Sequence, residues 1–173
     1  MDLRIVKTQR AICDAFLTLR EKMPLEKIKV RDICEIALIN KSTFYSHYTD
    51  VFDLSDKMEN AYIERMTTID TPELLFEDPK AFFDSIHECM KDYHREGEII
   101  FSGRCFIFCE KYVARLLEVF KQHGLEKEST ALSFVLGGIA STKFASGNLH
   151  ENWQTMPDDI VTYITAIKDV MQR

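Results

Sequence analysis

The chain has 173 residues, 46% of them hydrophobic, which is enough to bury a sizeable core and excludes disorder as the default reading. Six glycines and four prolines are too few for the many turns of an all-β fold, so long helices with few breaks are expected. The net charge of −6 is a poor match to a polyanion for the chain as a whole.

In chain order, residues 3–22 carry Ile5, Ile12, Phe16 and Leu19 on one side with Ala11 and Ala15 beside them, which predicts an amphipathic helix ended by Pro24. A connection over 25–29 leads to a helix over 30–37 with Val30, Ile33, Cys34 and Ala37 on one face. After a break at 38–40, Asn40 is placed to N-cap a helix over 41–47. Thr49 or Asp50 can cap the next helix, which runs to about 68. Thr71-Pro72 marks a break, and Asp78-Pro79 opens a helix over 79–95 with proline at its first position. That helix stops near Gly97, and 98–101 reads as a short helix of its own. A helix over 104–122 ends at His123-Gly124, one over 127–146 ends at Gly147-Asn148, and Pro157 opens the last, 157–171. No segment alternates with period two for long enough to compete as a strand. The expected fold is all-α with about nine helices.

The charge is unevenly distributed. Residues 1–48 hold nine Lys/Arg against six Asp/Glu, whereas the rest of the chain is strongly acidic. A mildly basic head on an acidic body fits a DNA reader with a separate non-DNA part. Five cysteines (Cys13, Cys34, Cys89, Cys105 and Cys109) form no C-x-x-C pair and read as reduced and buried. The N-terminus leads straight into a charged amphipathic stretch, and the longest apolar run, around 134–140, is too short to span a bilayer. A cytoplasmic protein with no membrane association is expected.

The most informative stretch is VRDICEIALINKSTFYSHYTDVFDL, residues 30–54. Two short helices joined by about three residues can cross steeply only if their contact is small and apolar, and Ala37 and Ile39 supply it. Phe44 and Tyr48, four apart, face back onto the two preceding helices. Lys41, Ser42, Thr43, Tyr45, Ser46 and His47 are left for other faces, none is acidic, and nearly all can hydrogen-bond to base edges or phosphates. A helix this short is not stable alone. An outward face of this kind reads as a recognition helix for the major groove.

Over about fifty residues this stretch resembles the tetracycline-repressor (TetR) family of bacterial regulators. The resemblance is carried by Ile33, Ala37, Thr43-Phe44-Tyr45-Ser46-His47-Tyr48, Asp50 and Leu54, with FVLGGI at 134–139 also similar to one branch of the family. It implies a DNA-binding set of Arg31, Lys41, Ser42, Thr43, Tyr45 and His47. In that set Arg31 can reach a base edge or a phosphate, the front of the recognition helix meets bases, and Tyr45 and His47 hold phosphates. Two departures stand out. Leu38 replaces the usual turn glycine, so the turn is expected to adopt a conformation that leucine tolerates. Val51 replaces a common lysine, so one phosphate contact is lost. The resemblance divides the chain into a helix-turn-helix DNA-binding domain with its linking helix, 1–65, and a helical dimerisation and effector-binding domain, 66–173.

In the second part, aromatic residues are abundant, and the CFIFC run opening the helix at 104 is apolar on every side, which predicts a central, buried helix. The plain reading of these aromatics is core. The resemblance adds an effector pocket lined by Phe83, Phe106, Phe108 and Tyr112, suited to an apolar or aromatic small molecule. Leu132, Val135, Leu136 and Ile139 form a stripe beside Gly138, and Ile160, Ile164 and Ile167 form another. The resemblance implies that these build a homodimer interface. His87 and His94, seven apart, share a face of the predicted 79–95 helix, but with Cys89 they give no recognised zinc spacing. No catalytic motif, metal site or cofactor is expected. The resulting expectation is a DNA-binding transcriptional regulator, a repressor relieved by a small molecule, reading a pseudo-palindromic duplex. The rivals are a helical ligand-binding protein with a degenerate DNA head and a small helical enzyme using His87, Cys89 or Cys105.

Overall fold

The computed structural model describes residues 3–68, 71–125, 133–135, 137–138, 161–162 and 164–166. The fold is all-α, and among the described residues there is no strand. The helices are α1 (Leu3–Arg20), α2 (Val30–Ala37), α3 (Lys41–Tyr45), α4 (Val51–Met66), α5 (Leu74–Glu77), α6 (Pro79–Met90), α7 (His94–Ile100) and α8 (Cys105–Gln122), with a 3₁₀ turn at Leu25–Lys27. Among the described residues, no helix is long and apolar enough to cross a membrane.

The chain divides into two compact units, Met1–Ala61 with Arg95–Gly103, and Tyr62–His94 with Arg104–Arg173. In the first, α1 packs on α2 and α2 on α3. Ile12, Phe16, Ile33, Phe44 and Leu54 are fully buried, so the predicted apolar faces of α1 and α2 meet around the inward ring of α3. The segment Arg95–Gly103 adds Ile100 and Phe101 to this unit, both buried. Arg20 is only 5% exposed, and its guanidinium donates to the carbonyls of Ser102 at 2.7 Å, Met23 at 3.2 Å and Ile100 at 3.4 Å. Arg95 pairs with Glu21 at 2.6 Å, a second tie between the end of α1 and this segment.

In the second unit, α5 packs against α6. Asp78 caps α6, its carboxylate accepting the Ala81 N–H at 3.0 Å, and Pro79 takes the first helical position as the sequence predicts. The predicted 79–95 helix is two helices. Tyr93 N–H closes on Met90 O at 2.8 Å, a tight turn that ends α6 and lets α7 begin at His94. Gly97, expected as a stop, lies buried within α7, where glycine is tolerated at about 1 kcal/mol relative to alanine. α5 is unanticipated; its single turn is anchored by Leu75, which is fully buried.

The expectation that α8 opens buried on every side is corrected. Phe106 is 79% exposed, and Cys105, Ile107 and Cys109 are half-buried. The buried stripe is Phe108, Tyr112, Leu116 and the adjacent pair Val119 and Phe120, which lie three and four residues after Leu116, so α8 is amphipathic. The helix ends at Gln122 with His123 as its C-cap, and Gly124 follows with φ 77°, as the terminal signal predicts.

Candidate nucleic-acid interface

The turn between α2 and α3 is closed on a single acceptor: the N–H groups of Leu38 and Ile39 both donate to the Cys34 carbonyl, the latter at 3.0 Å. This closure places Leu38 at φ 54°, ψ 42°, in the left-handed region. The expectation of a turn geometry comfortable for leucine is therefore corrected, because the reversal demands the glycine-like conformation whatever side chain stands there. For an L-residue with a Cβ that conformation costs roughly 1–2 kcal/mol. Leu38 is 91% exposed and recovers none of this through packing.

Asn40 caps α3. Its Oδ1 accepts the Thr43 N–H at 2.8 Å, the Ser42 hydroxyl at 2.7 Å and the Thr43 hydroxyl at 2.8 Å. A hydroxyl has one proton, so Ser42 and Thr43, turned back on the cap, offer acceptor lone pairs outward. The predicted 41–47 helix is shorter, ending at Tyr45. Ser46 Oγ donates to the Thr43 carbonyl at 2.7 Å and His47 N–H closes on Phe44 O at 2.9 Å, so side-chain and i→i+3 bonds replace the last helical turn. Phe44 and Tyr48 are buried and hold this short helix to the core, as their four-residue spacing predicts. The Tyr48 hydroxyl lies 3.9 Å from Cys13 Sγ on α1, and burial pushes both the phenol and the thiol up from their ordinary pKa values.

The outward residues are thereby fixed. Lys41, Ser42 and Tyr45 are exposed and Thr43 and His47 half-buried. The Tyr45 ring stands edge-on to Phe44, 5.6 Å between centroids. Arg31, on the first turn of α2, is exposed but its Nε lies 3.3 Å from the Asp32 carboxylate, a neighbour that competes for any phosphate or base edge. One cation escapes the sequence pattern. Lys57, midway along α4, reaches back with its ammonium 3.4 Å from the His47 carbonyl and 5.2 Å from the centre of the Tyr48 ring. It thus places a positive charge beside the end of α3, near where Val51 had left the start of α4 without one. Its 3.0 Å pair with Asp53 is the signal that was available, an i,i+4 couple on α4.

No protein-family model matches this chain, and no curated protein matches it either. The physical arrangement therefore stands on its own residues.

α4 starts from a reciprocal cap. Asp53 N–H donates to Asp50 Oδ1 at 2.8 Å, and Thr49 N–H donates to Asp53 Oδ2 at 2.9 Å, which makes Asp50 rather than Thr49 the capping side chain. The bond from Thr49 N–H, with Lys57, holds the Asp53 carboxyl below its ordinary pKa. Of the nine basic residues in the head, Arg20 points inward onto backbone carbonyls, so its guanidinium is not presented for contact with a phosphate.

Elsewhere, Phe83, Phe108 and Tyr112 are buried, with Phe108 and Tyr112 stacked at 5.6 Å and 7°. Phe106 stands apart from them, 79% exposed, and is not part of their buried cluster among the described residues. The Tyr112 hydroxyl is buried without a hydrogen-bond partner among the described residues. The His87 and His94 rings lie 5.2 Å apart, though on two helices rather than one face of a single helix. Among the described residues, no three His, Cys, Asp or Glu side chains gather as metal ligands. Of the dimer set, Val135 and Ile164 are buried and Gly138 is exposed; Leu132, Leu136, Ile139, Ile160 and Ile167 lie outside the described residues.

Proposed function

We propose that this chain is a sequence-specific, DNA-binding transcriptional regulator that places α3 in the major groove. The observation that carries this reading is the construction of α3. It is a five-residue helix, too short to persist alone, fixed by the Asn40 cap and the buried Phe44, and its outward side chains include no carboxylate. Lys41 can reach guanine O6 or N7, as can Arg31 from α2, and in this reading Tyr45 and His47 take phosphates. The resemblance to TetR regulators supports the same assignment. It also supplies the rest of the proposal: a homodimer on a pseudo-palindromic duplex, acting in the cytoplasm as a repressor relieved by an apolar or aromatic small molecule.

A second reading, a helical ligand-binding protein whose head no longer binds DNA, is favoured by the pairing of Arg31 with Asp32 and Lys57 with Asp53. Each pair removes net positive charge from the proposed surface. Enrichment of duplexes from a randomised library at low and moderate salt separates the two. A pseudo-palindromic consensus supports the regulator; failure to retain any duplex at low salt leaves the second reading.

A further inference from the structure

We infer that Leu38 is a specificity-determining residue that selects thymine, through its 5-methyl group, next to the bases met by the start of α3. This rests on the DNA-binding reading above and names one element of its sequence preference. Two independent observations converge on this residue. Leu38 is the most exposed large apolar side chain among the described residues, at 91%. It is also the one non-glycine residue among them with positive φ. Packing gives no reason for leucine here, and the backbone disfavours it; glycine or asparagine would suit the turn better. A strained residue standing where a permissive one would serve points to a contact the free protein does not show.

Position and chemistry decide what that contact is. Leu38 lies two residues before the Asn40 cap and three before Lys41, at the entrance to the proposed recognition helix. Phosphates and most base edges in the major groove are polar, and a leucine pressed on them would lose hydration without a partner. The apolar feature that a base pair presents there is the thymine methyl group. An exposed branched side chain at the mouth of α3 is matched to that methyl, while Ser42 and Thr43, offering acceptors, and Lys41, offering a donor, address the polar edges.

The test uses the full chain and the duplex it enriches from a randomised library. Each thymine of one half-site is replaced in turn by uracil, which removes the methyl and nothing else. Binding is measured for the wild type, Leu38→Gly and Leu38→Asn, both of which relax the turn and should melt no lower than wild type. One uracil position should weaken wild-type binding about fourfold, the effect of withdrawing one methyl from burial. The same replacement should leave both variants unchanged. The inference is overturned if the consensus contains no thymine in the half-site, if every uracil duplex binds wild type like its parent, or if the penalty persists in both variants. A silent uracil scan together with loss of self-association in Leu38→Gly would instead place Leu38 between two copies of the chain. If binding is specific but uracil is silent, Leu38 alone is misassigned; if no duplex binds at low salt, the DNA-binding reading fails and the inference with it.

Discussion

Asn40 and Thr43 are joined by the bond that starts α3: the Asn40 carboxamide oxygen accepts the Thr43 N–H at 2.8 Å. The same oxygen takes the hydroxyls of Ser42 and Thr43, so one side chain sets both the helix start and the orientation of two outward groups. Asn40→Ala should lower stability by about 1 kcal/mol, the usual worth of an N-cap. Asn40→Asp should keep most of it. Urea unfolding of the three proteins measures this, and an unchanged midpoint in Asn40→Ala would show that the cap is idle.

Asp53 makes the head sensitive to acid. Its carboxylate accepts from Thr49 and Lys57, so its pKa in the folded protein lies below the ordinary value of 3.8. The stabilisation is therefore complete above that ordinary value and fades as pH falls through the lowered folded pKa. Asp53→Asn should be less stable than wild type by a constant margin from pH 5 to 7, and the margin should shrink below about pH 4. Chemical unfolding at a series of pH values gives the curve. A margin that instead grew on acidification would assign the effect to another group.

The fold was legible where local chemistry decides it. Pro79 after Asp78, Asn40 before a polar helix and Gly124 after α8 each act through their own backbone, and the structure has all three where the sequence places them. The inward face of α3 was legible too, because Phe44 and Tyr48 recur at helical spacing. What was not legible depends on distant partners. Arg20 reads as one more basic residue of a positive head, yet it is buried by carbonyls eighty or so positions away. The grouping of Arg95–Gly103 with the first unit has no local signal. Leu38 shows the opposite failure: the rule that leucine avoids the left-handed region is sound, but a turn closed on Cys34 overrides it.

Tyr112 should behave contrary to the usual cost of altering a buried side chain. Its hydroxyl is buried without a hydrogen-bond partner among the described residues, while its ring stacks on Phe108. Burial without a bond also holds the proton on, raising the phenol's pKa. Tyr112→Phe keeps the ring and removes the stranded group, so stability should rise, by up to about 1–3 kcal/mol. Thermal and urea unfolding check the sign. A loss of 1 kcal/mol or more would mean that the hydroxyl is bonded after all.

Lys41 and Tyr45 should divide base reading from anchoring. Lys41→Ala should cost about 1–3 kcal/mol on the enriched duplex and relax preference at one base pair. Tyr45→Phe should weaken enriched and scrambled duplexes alike by about 0.5–1.5 kcal/mol, with little change in salt dependence because the phenol is neutral. Titrations of both variants against both duplexes measure this. Equal weakening of both duplexes by Lys41→Ala, with a salt slope lower by about one, would make Lys41 a phosphate contact.

DNA reading by α3 is tested most directly by equilibrium binding of the wild-type chain to the enriched and a scrambled duplex across a salt series. Both affinities should fall as salt rises, because phosphate contacts release counterions. The enriched duplex should remain at least about a thousandfold tighter at physiological salt, the lower range of specific recognition. Equal affinity for the two duplexes, or no binding to either at low salt, would contradict it.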